Sequence, residues 1–193
     1  MGREFELKYR ADAGKIAAIR EKYGEFVSIS METTYYDTQD NRLRPLHWTL
    51  RRRFENGKSV CTLKAPGPGG GRGEWETECG DILEAVPDLC KLGAPRELLT
   101  LTANGVTESC AARFTRLAKL VEAEGCTVEL ALDEGALLGG GQVLPFAEVE
   151  VELKRGSEDA AVAFAQALAR EFELTSEPKS KVQRAMELIK PSP

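Results

Sequence analysis

The chain has 193 residues, of which 42% are hydrophobic and 30% charged, with a formal net charge of −5. This length suits one domain with a substantial core, and the longest apolar runs fall far short of the roughly 20 residues of a membrane helix. The acidic balance argues against a nucleic-acid polymer as partner, because such binding usually depends on basic excess. We expect a single domain over residues 1–190 that does not enter a membrane.

The cysteines and the one histidine argue against a zinc site. The five cysteines are Cys61, Cys79, Cys90, Cys110 and Cys126, and His47 is the only histidine. None of their spacings is typical of thiolate or imidazole zinc ligands. No apolar signal core follows the N-terminus, so we expect a cytoplasmic protein.

A strand, a helix and a second strand are predicted first along the chain. Alternating charged and apolar residues in EFELKYR predict a strand. Asp12 as N-cap and Gly24 as the terminating residue predict a short helix between them. The run from Phe26 to Thr38 is rich in β-branched and aromatic residues, which predicts a long strand.

A hairpin follows, and then a glycine-rich loop. The segments HWTLRRRF and KSVCTLKA flank Asn56-Gly57, a strong hairpin signal. The segment APGPGGGRG lacks the Lys-Ser/Thr pair of a phosphate-binding loop, so we interpret it as a connection between strands. RGEWETEC resumes the strand alternation.

The second half of the chain mixes helices and strands. GDILEAVPDLCKLG and PRELLTL are typical of short helices interrupted by proline. ARFTRLAKLV, CTVELALDEG and FAEVEVELKRG predict three further strands. Ser157 is the expected N-cap of an amphipathic helix, and PKSKVQRAMELI predicts the start of another helix.

Charged residues alternate along most of the predicted strands. A charged face on one strand is usually solvated. Here, however, single strands carry nearly pure acid (EVEVE) or nearly pure base (LRRR), and like charges along a strand repel unless something outside it compensates them. Across six strands the pattern favours a closed or nearly closed barrel with a charged lumen and helices over its apolar outside.

The two kinds of charge suggest two kinds of ligand. Carboxylates from the first and last strands would suit Mg²⁺ or Mn²⁺, which prefer oxygen ligands. Arginine and lysine from the other strands would bind an anion with many oxygens. Together they predict a site for a polyphosphate chain.

These motifs resemble those of the CYTH superfamily, the triphosphate tunnel metalloenzymes. EFELK is similar to the ExExK signature of that family, and YYDT with LRP, TLRRR, TLK, RGEWE, VELALDEG, EVEVELKRG and KSK follow in the family order. The sequence motifs are most similar to those of the bacterial inorganic triphosphatase branch of the family. We expect a CYTH domain without the helical CHAD domain that some members of that branch carry. The resemblance implies an α+β fold: an eight-stranded antiparallel β-barrel, or tunnel, with a charged lumen and an outer surface covered by helices.

The resemblance also implies roles for individual residues. The expected ligands of Mg²⁺ or Mn²⁺ are Glu4, Glu6, Asp133, Glu148 and Glu150. The expected phosphate ligands are Lys8, Arg51, Arg53, Lys64, Arg72, Arg116, Lys179 and Lys181. Glu4, Glu6 and Lys8 form the expected catalytic group, in which Lys8 contacts phosphate or helps to orient the attacking water. Arg113 would face away from Arg116 on a regular strand and is a weaker candidate.

The implied activity is divalent-metal-dependent hydrolysis of a phosphoanhydride bond in inorganic triphosphate. Adenylate cyclisation and the hydrolysis of thiamine or nucleoside triphosphates are alternatives on the same fold. A non-catalytic polyphosphate or nucleotide sensor is a third, although the presence of Glu4, Glu6, Glu148 and Glu150 argues against it. The expected partner is a triphosphate-containing small molecule, and a homodimer remains open.

Overall fold

The computed structural model describes residues 5–67 and 72–189. Its strands are β1 (Glu6–Arg10), β2 (Val27–Asp37), β3 (Thr49–Glu55), β4 (Lys58–Pro66), β5 (Arg72–Glu78), β6 (Thr107–Ala123), β7 (Cys126–Gly139), β8 (Gln142–Gly156) and β9 (Thr175–Ser176). Its helices are α1 (Ala13–Tyr23), α2 (Ile82–Lys91), α3 (Glu97–Leu101), α4 (Glu158–Glu171) and α5 (Lys181–Met186), with a 3₁₀ turn at Arg44–Leu46. The helices of the described residues include none with the length and apolar character needed to cross a membrane.

The strands form one antiparallel sheet in the order β5-β4-β3-β2-β6-β7-β8-β1-β9. The predicted α+β class and antiparallel architecture are confirmed. The sheet has nine strands rather than eight, and within the described residues its edge strands β5 and β9 do not pair, so it is not closed. At β1, Tyr9 and Arg10 pair with the two-residue strand β9, which forms one edge of the sheet.

Local sequence signals set most element boundaries as predicted. The side chain of Asp12 accepts a hydrogen bond from the Lys15 amide at 2.9 Å, and Gly24 ends α1 at a φ of 75°. Asn56 and Gly57 have φ values of 50° and 86°, as a tight hairpin turn requires. Ser157 caps α4. The expectation of a loop at 65–73 falls partly on residues 68–71, which are outside the described residues.

The expected proline break at Pro87 is wrong, since this residue lies inside α2. An internal proline removes one helical hydrogen bond. Four side chains of α2 are nevertheless buried in the core, namely Ile82, Ala85, Val86 and Leu89. Their packing keeps the helix continuous across Pro87.

Helices α1 to α4 cover the apolar face of the sheet. Beneath α1 and α4 lie alternate residues of β7 and β8, such as Leu130, Leu132 and Val151. Beneath α2 and α3 lie Leu50 and Trp75. These helices fit the predicted outer cover.

Helix α5 lies on the other face of the sheet. Its Ala185 packs with Phe114 and Leu137 in a third core. Phe114 alternates in phase with Arg116 along β6, so this core shares a face with the predicted charged residues. The predicted helical cover of the outer surface is thus formed by α1 to α4, and α5 is an additional helix on the opposite, charged face. Its apolar side is buried against Phe114, while its polar residues reach the charges described next.

Candidate functional site

Three carboxylates meet on β7 and β8. Asp133 pairs in register with Glu148, and Glu150 follows two residues later on the same face. One oxygen from each residue lies within 4.8 Å of the others. Asp133 and Glu148 are fully buried, and Glu150 is 7% exposed. We call these three residues the acid cluster.

Cations of the chain itself surround the acid cluster. The ammonium of Lys181 lies 2.8 Å from Asp133 Oδ2 and 2.8 Å from Glu150 Oε1, and it also donates to Glu148. Arg116 donates from Nε to Asp133 Oδ1 at 2.8 Å and from Nη2 to Oδ2 at 2.7 Å, and it also contacts Glu150. Arg184 donates to Glu148. Three buried negative charges are thus matched by three positive ones.

The pKa values show how strongly these groups depend on each other. Burial raises the pKa of Glu148. Burial alone would also raise the pKa of Glu150, but Lys181 and Arg116 outweigh it and hold that pKa well below its ordinary value. Burial would lower the pKa of Lys181, yet the surrounding carboxylates, led by Glu150, raise it. Lys181 therefore stays charged in a nearly dry environment.

The residues of the EFELK strand lie beside this cluster. Lys8 pairs in register with Glu150, and Glu6 pairs with Glu152. Lys8 Nζ is 3.7 Å from Glu6 Oε1 and 3.5 Å from the Lys179 carbonyl oxygen. Glu6 therefore shares the face of the acid cluster but lies further along it. Glu4 falls outside the described residues.

The predicted arginines of β3 lie on the same face, across β2 and β6 from the acid cluster. Arg53 Nε donates to Thr33 Oγ1 at 2.9 Å. Arg51 Nη2 lies 3.4 Å from Glu74 and 3.6 Å from Glu76, while its Nε is buried without a hydrogen-bond partner among the described residues. Arg51 therefore has donor capacity to spare.

Burial and the neighbouring positive charge of Arg51 lower the pKa of Arg53 to about 10. The ammonium of Lys64 lies 2.9 Å from Glu74. We call Arg51, Arg53 and Lys64 the basic wall. An anion on this wall would relieve the repulsion between the two arginines.

The other predicted residues fall in different places. Arg72 begins β5, but its side chain is outside what the structure describes. Lys179 is half exposed and pairs with Glu187 at 2.7 Å, away from the acid cluster. Arg113 donates to the Thr33 carbonyl oxygen at 2.6 Å and alternates out of phase with Arg116, as predicted.

Sequence reasoning missed Arg184, Glu177 and Arg10. Arg184 lies three residues after Lys181, and that spacing on a predicted helix was the available signal. Arg10 continues the alternation of Glu6 and Lys8. Glu177 is almost fully buried, accepts from Arg10 Nε at 2.6 Å and lies 3.7 Å from Arg184, yet no local pattern marks it.

A cavity of about 540 Å³ adjoins the charged face. Tyr35, Trp48 and Thr49 line it on the sheet side, and Gln183 and Met186 line it on the α5 side. Tyr35 pairs in register with Arg51, so the cavity opens next to the basic wall. Its aromatic lining can accept a flat organic group.

The donor chemistry of the acid cluster fits a hard divalent cation. Every potential ligand atom in the cluster is a carboxylate oxygen, the type that Mg²⁺ and Mn²⁺ prefer. The basic wall on the same face offers donors suited to phosphate oxygens. The face as a whole can therefore bind an anion bearing several phosphates together with its counter-cation.

Comparison with known proteins places the chain among similar sequences and folds. An inorganic triphosphatase from Haemophilus influenzae is 27% identical over 162 residues, covering 83% of this chain and 46% of the relative. The chain thus spans a little under half of that relative's length. A candidate adenylate cyclase from Bacillus halodurans aligns with a TM-score of 0.65 at 20% identity, covering 94% of this chain and 96% of the other.

A candidate adenylyl cyclase from Hippeastrum, described as having a dominant triphosphatase activity, also aligns with a TM-score of 0.65. Its identity is 18%, and 98% of each chain is covered. At such identities the two structures show a shared fold. The sequence profile of the CYTH domain family matches residues 2–186, almost the whole chain. The chain therefore belongs to the CYTH domain family.

Proposed function

We propose that this protein hydrolyses a phosphoanhydride bond of inorganic triphosphate in a reaction that depends on Mg²⁺ or Mn²⁺. The observation that carries the proposal is the placement of the acid cluster and the basic wall on one face of one sheet. Triphosphate needs several cationic donors for its oxygens and a divalent ion to neutralise the rest of its charge. Both requirements have matching groups here.

The basic wall would hold the triphosphate. Arg51 and Arg53 offer planar forks for phosphate oxygens, and Lys64 offers a point charge. The buried, unpartnered Nε of Arg51 supports this role. Arg116 would extend the row toward the acid cluster. Arg72 and Lys179 remain further candidates from the sequence.

The acid cluster would hold the divalent ion through Asp133, Glu148 and Glu150, with Glu6 and Glu4 as further ligands. When bound, the ion supplies Lewis-acid stabilisation of charge on the phosphate oxygens. Lys8, next to Glu150 in register, would contact phosphate or orient the attacking water. Catalysis would rest mainly on positioning and charge stabilisation.

The cavity next to the basic wall favours a second candidate substrate, a triphosphate that carries an aromatic group. Trp48 and Tyr35 could stack on such a group while its phosphates contact Arg51. Thiamine triphosphate and nucleoside triphosphates belong to this class. Adenylate cyclisation would use the same pose but release pyrophosphate.

A substrate panel tests the proposal. Inorganic triphosphate, ATP, thiamine triphosphate and longer polyphosphate are each incubated with Mg²⁺ or Mn²⁺, and phosphate, pyrophosphate and cyclic AMP are measured. We expect phosphate and pyrophosphate from inorganic triphosphate, and no hydrolysis when a chelator is present. Cyclic AMP as the main product, or hydrolysis unaffected by the chelator, would reject the proposal.

A further inference from the structure

The acid cluster binds a cation of the chain in the position where a divalent ion would lie. Lys181 Nζ contacts all three carboxylates, with distances of 2.8 Å to Asp133 and 2.8 Å to Glu150. These are the same groups whose oxygens come within 4.8 Å of one another. An ammonium and a divalent ion cannot both lie at the centre of three oxygens, so they must compete for it.

We infer that Lys181 is a built-in counter-ion that holds the acid cluster together without a divalent ion and is displaced when that ion binds. The inference rests on the proposed function in taking Asp133, Glu148 and Glu150 as the ligands of the ion. It deepens that proposal, because Lys181 becomes a positioning residue that sets the affinity for the ion.

The burial of the cluster explains why a counter-ion is needed. The side chains of Asp133 and Glu148 are fully buried, and those of Glu150 and Lys181 are 10% and 8% exposed. Carboxylates buried this deeply and this close together would repel one another without a positive charge among them. Lys181 supplies that charge, so the oxygens are already gathered when the ion arrives.

A flexible side chain separates the ammonium of Lys181 from α5, which is anchored at other residues. The helix is anchored by the Ser180–Gln183 capping box and by the buried Ala185. The four-carbon stem of lysine is flexible, so the charge can move independently of the backbone. The rings of Phe114 and Phe146, with centroids 5.0 Å and 5.5 Å from Nζ, add cation–π contacts to the ammonium in its position within the cluster.

Arg116 and Arg184 are less suited to leave the cluster. Arg116 is bidentate on Asp133, and this geometry fixes the guanidinium firmly. Arg184 contacts Glu148 and lies 3.7 Å from the buried Glu177, which holds it from a second side. Lys181 is the one of these three cations that contacts all three carboxylates of the cluster.

The test is the affinity for Mn²⁺ in the absence of any triphosphate, measured by calorimetry or by electron paramagnetic resonance of the free ion. Because Lys181→Gln removes the competing charge, we expect the Kd for Mn²⁺ to fall by at least about tenfold. Lys181→Arg keeps the competing charge, so its Kd for Mn²⁺ should not fall more than about threefold below that of the wild type. Lys22→Gln removes a charge far from the cluster and is the matched control.

An unchanged or higher Kd in Lys181→Gln would overturn the inference, because a merely structural role would weaken the binding of Mn²⁺ rather than strengthen it. If Lys181→Gln does not fold without Mn²⁺, Arg184→Gln is measured beside it, since it removes another positive charge next to Glu148. The Kd of Arg184→Gln is a general check on charge at the cluster, and the decisive value is the Kd of Lys181→Gln prepared with Mn²⁺ and measured by competition with a chelator of known affinity: a Kd equal to or above that of the wild type rejects the inference.

The outcome is separable from that of the proposed function. Tighter Mn²⁺ binding by Lys181→Gln in a protein that hydrolyses no triphosphate supports the counter-ion role and rejects the triphosphatase. Triphosphate hydrolysis by the wild type, with no change in Kd for the variant, rejects the counter-ion role alone.

Discussion

The acid cluster and the basic wall lie on the same face of the sheet but are compensated very differently. In the acid cluster, Lys181, Arg116 and Arg184 neutralise fully or nearly buried carboxylates through short contacts. In the basic wall, Arg51 meets Glu74 and Glu76 at 3.4 Å and 3.6 Å, and the side chain of Glu76 is 48% exposed. In the first region every carboxylate contacts a cation of the chain, although Arg184 Nε there has no partner among the described residues, whereas in the second the cations are only loosely paired and can accept an outside anion.

The difference has a physical origin in the burial of the carboxylates: those of the acid cluster are at most 10% exposed, whereas Glu74 and Glu76 beside Arg51 are 27% and 48% exposed. A charge in a nearly dry environment must be paired within the protein, because desolvation is costly. The side chains of Arg51 and Arg53 are also nearly buried, at 11% and 12% exposed, but their acidic partners reach water, which tolerates incomplete pairing. Damage to the acid cluster should therefore affect stability and activity together, whereas damage to the basic wall should affect substrate binding alone.

The largest expected effect comes from breaking the acid cluster with Glu150→Gln. Arg116 and Lys181 would lose a shared partner, and we expect unfolding in denaturant to cost about 3 kcal/mol less than in the wild type. Loss of a proposed metal ligand should also lower the rate of phosphate release from triphosphate by at least about 100-fold.

Glu152→Gln is the control for Glu150→Gln. Glu152 lies on the same strand and face, but it pairs with Lys154 outside the cluster. Its loss should lower the free energy of unfolding by less than about 1 kcal/mol. Equal losses of free energy of unfolding in Glu150→Gln and Glu152→Gln would show that the contacts within the acid cluster do not stabilise the protein more than a partly exposed ion pair does.

The next effect separates the two faces of β7. Leu130 is fully buried beneath α1 and α4, on the side opposite Asp133. Leu130→Ala should lower the free energy of unfolding by about 3 kcal/mol through the cavity it leaves. The KM for triphosphate should stay within about twofold of the wild type, because the space left by the shortened side chain lies on the helix-covered face and not on the charged face. A large rise in KM would contradict this separation.

A smaller effect is expected from the basic wall. Arg51→Gln removes charged donors to phosphate, so KM for triphosphate should rise about tenfold. The free energy of unfolding should change by less than about 1 kcal/mol, because both Arg51 ion pairs are long and their carboxylates are 27% and 48% exposed. Arg113→Gln removes a guanidinium that points to the other face of the sheet and should leave KM unchanged. Steady-state kinetics and denaturant titration measure both variants.

Salt should produce the smallest effect. Raising NaCl from about 0.05 M to about 0.5 M should increase KM roughly threefold by screening the basic wall. The acid cluster is buried and screened less, so the thermal unfolding midpoint should shift by less than about 2 °C. A midpoint that falls steeply with salt would show that the acid cluster is more exposed to solvent than its burial indicates.

Much of the fold could be predicted because its signals are local. Alternation placed the charges of β1, β3, β7 and β8 on one face, and Asp12, Ser157 and Asn56-Gly57 marked the ends of their elements. The sequence also predicted which strands carry mainly acidic residues, as β8 does, and which carry mainly basic ones, as β3 does. Among the predicted ligands, Asp133, Glu148 and Glu150 do come together, whereas Lys179 pairs with Glu187 instead.

The parts that could not be predicted depend on contacts between distant segments. Glu177 has no pattern of its own, and its partner Arg10 is 167 residues away. Lys181 was expected to bind phosphate. Nothing in the sequence around Lys181 indicates that its ammonium lies between Glu150 and Glu148, which are 31 and 33 residues earlier in the chain.

The sequence by itself determined the strands, the helix caps, the hairpin and the sorting of charged and apolar side chains to opposite faces, because a strand repeats every two residues and a cap acts within one turn. The tertiary structure alone decided that β9 pairs with part of the edge of β1 and that, among the described residues, β5 and β9 do not pair with each other. It also decided that α5 packs on the charged face. Both outcomes depend on how the segment after α4 packs against strands far away in the chain, and burial in that packing brings Lys181 to the acid cluster.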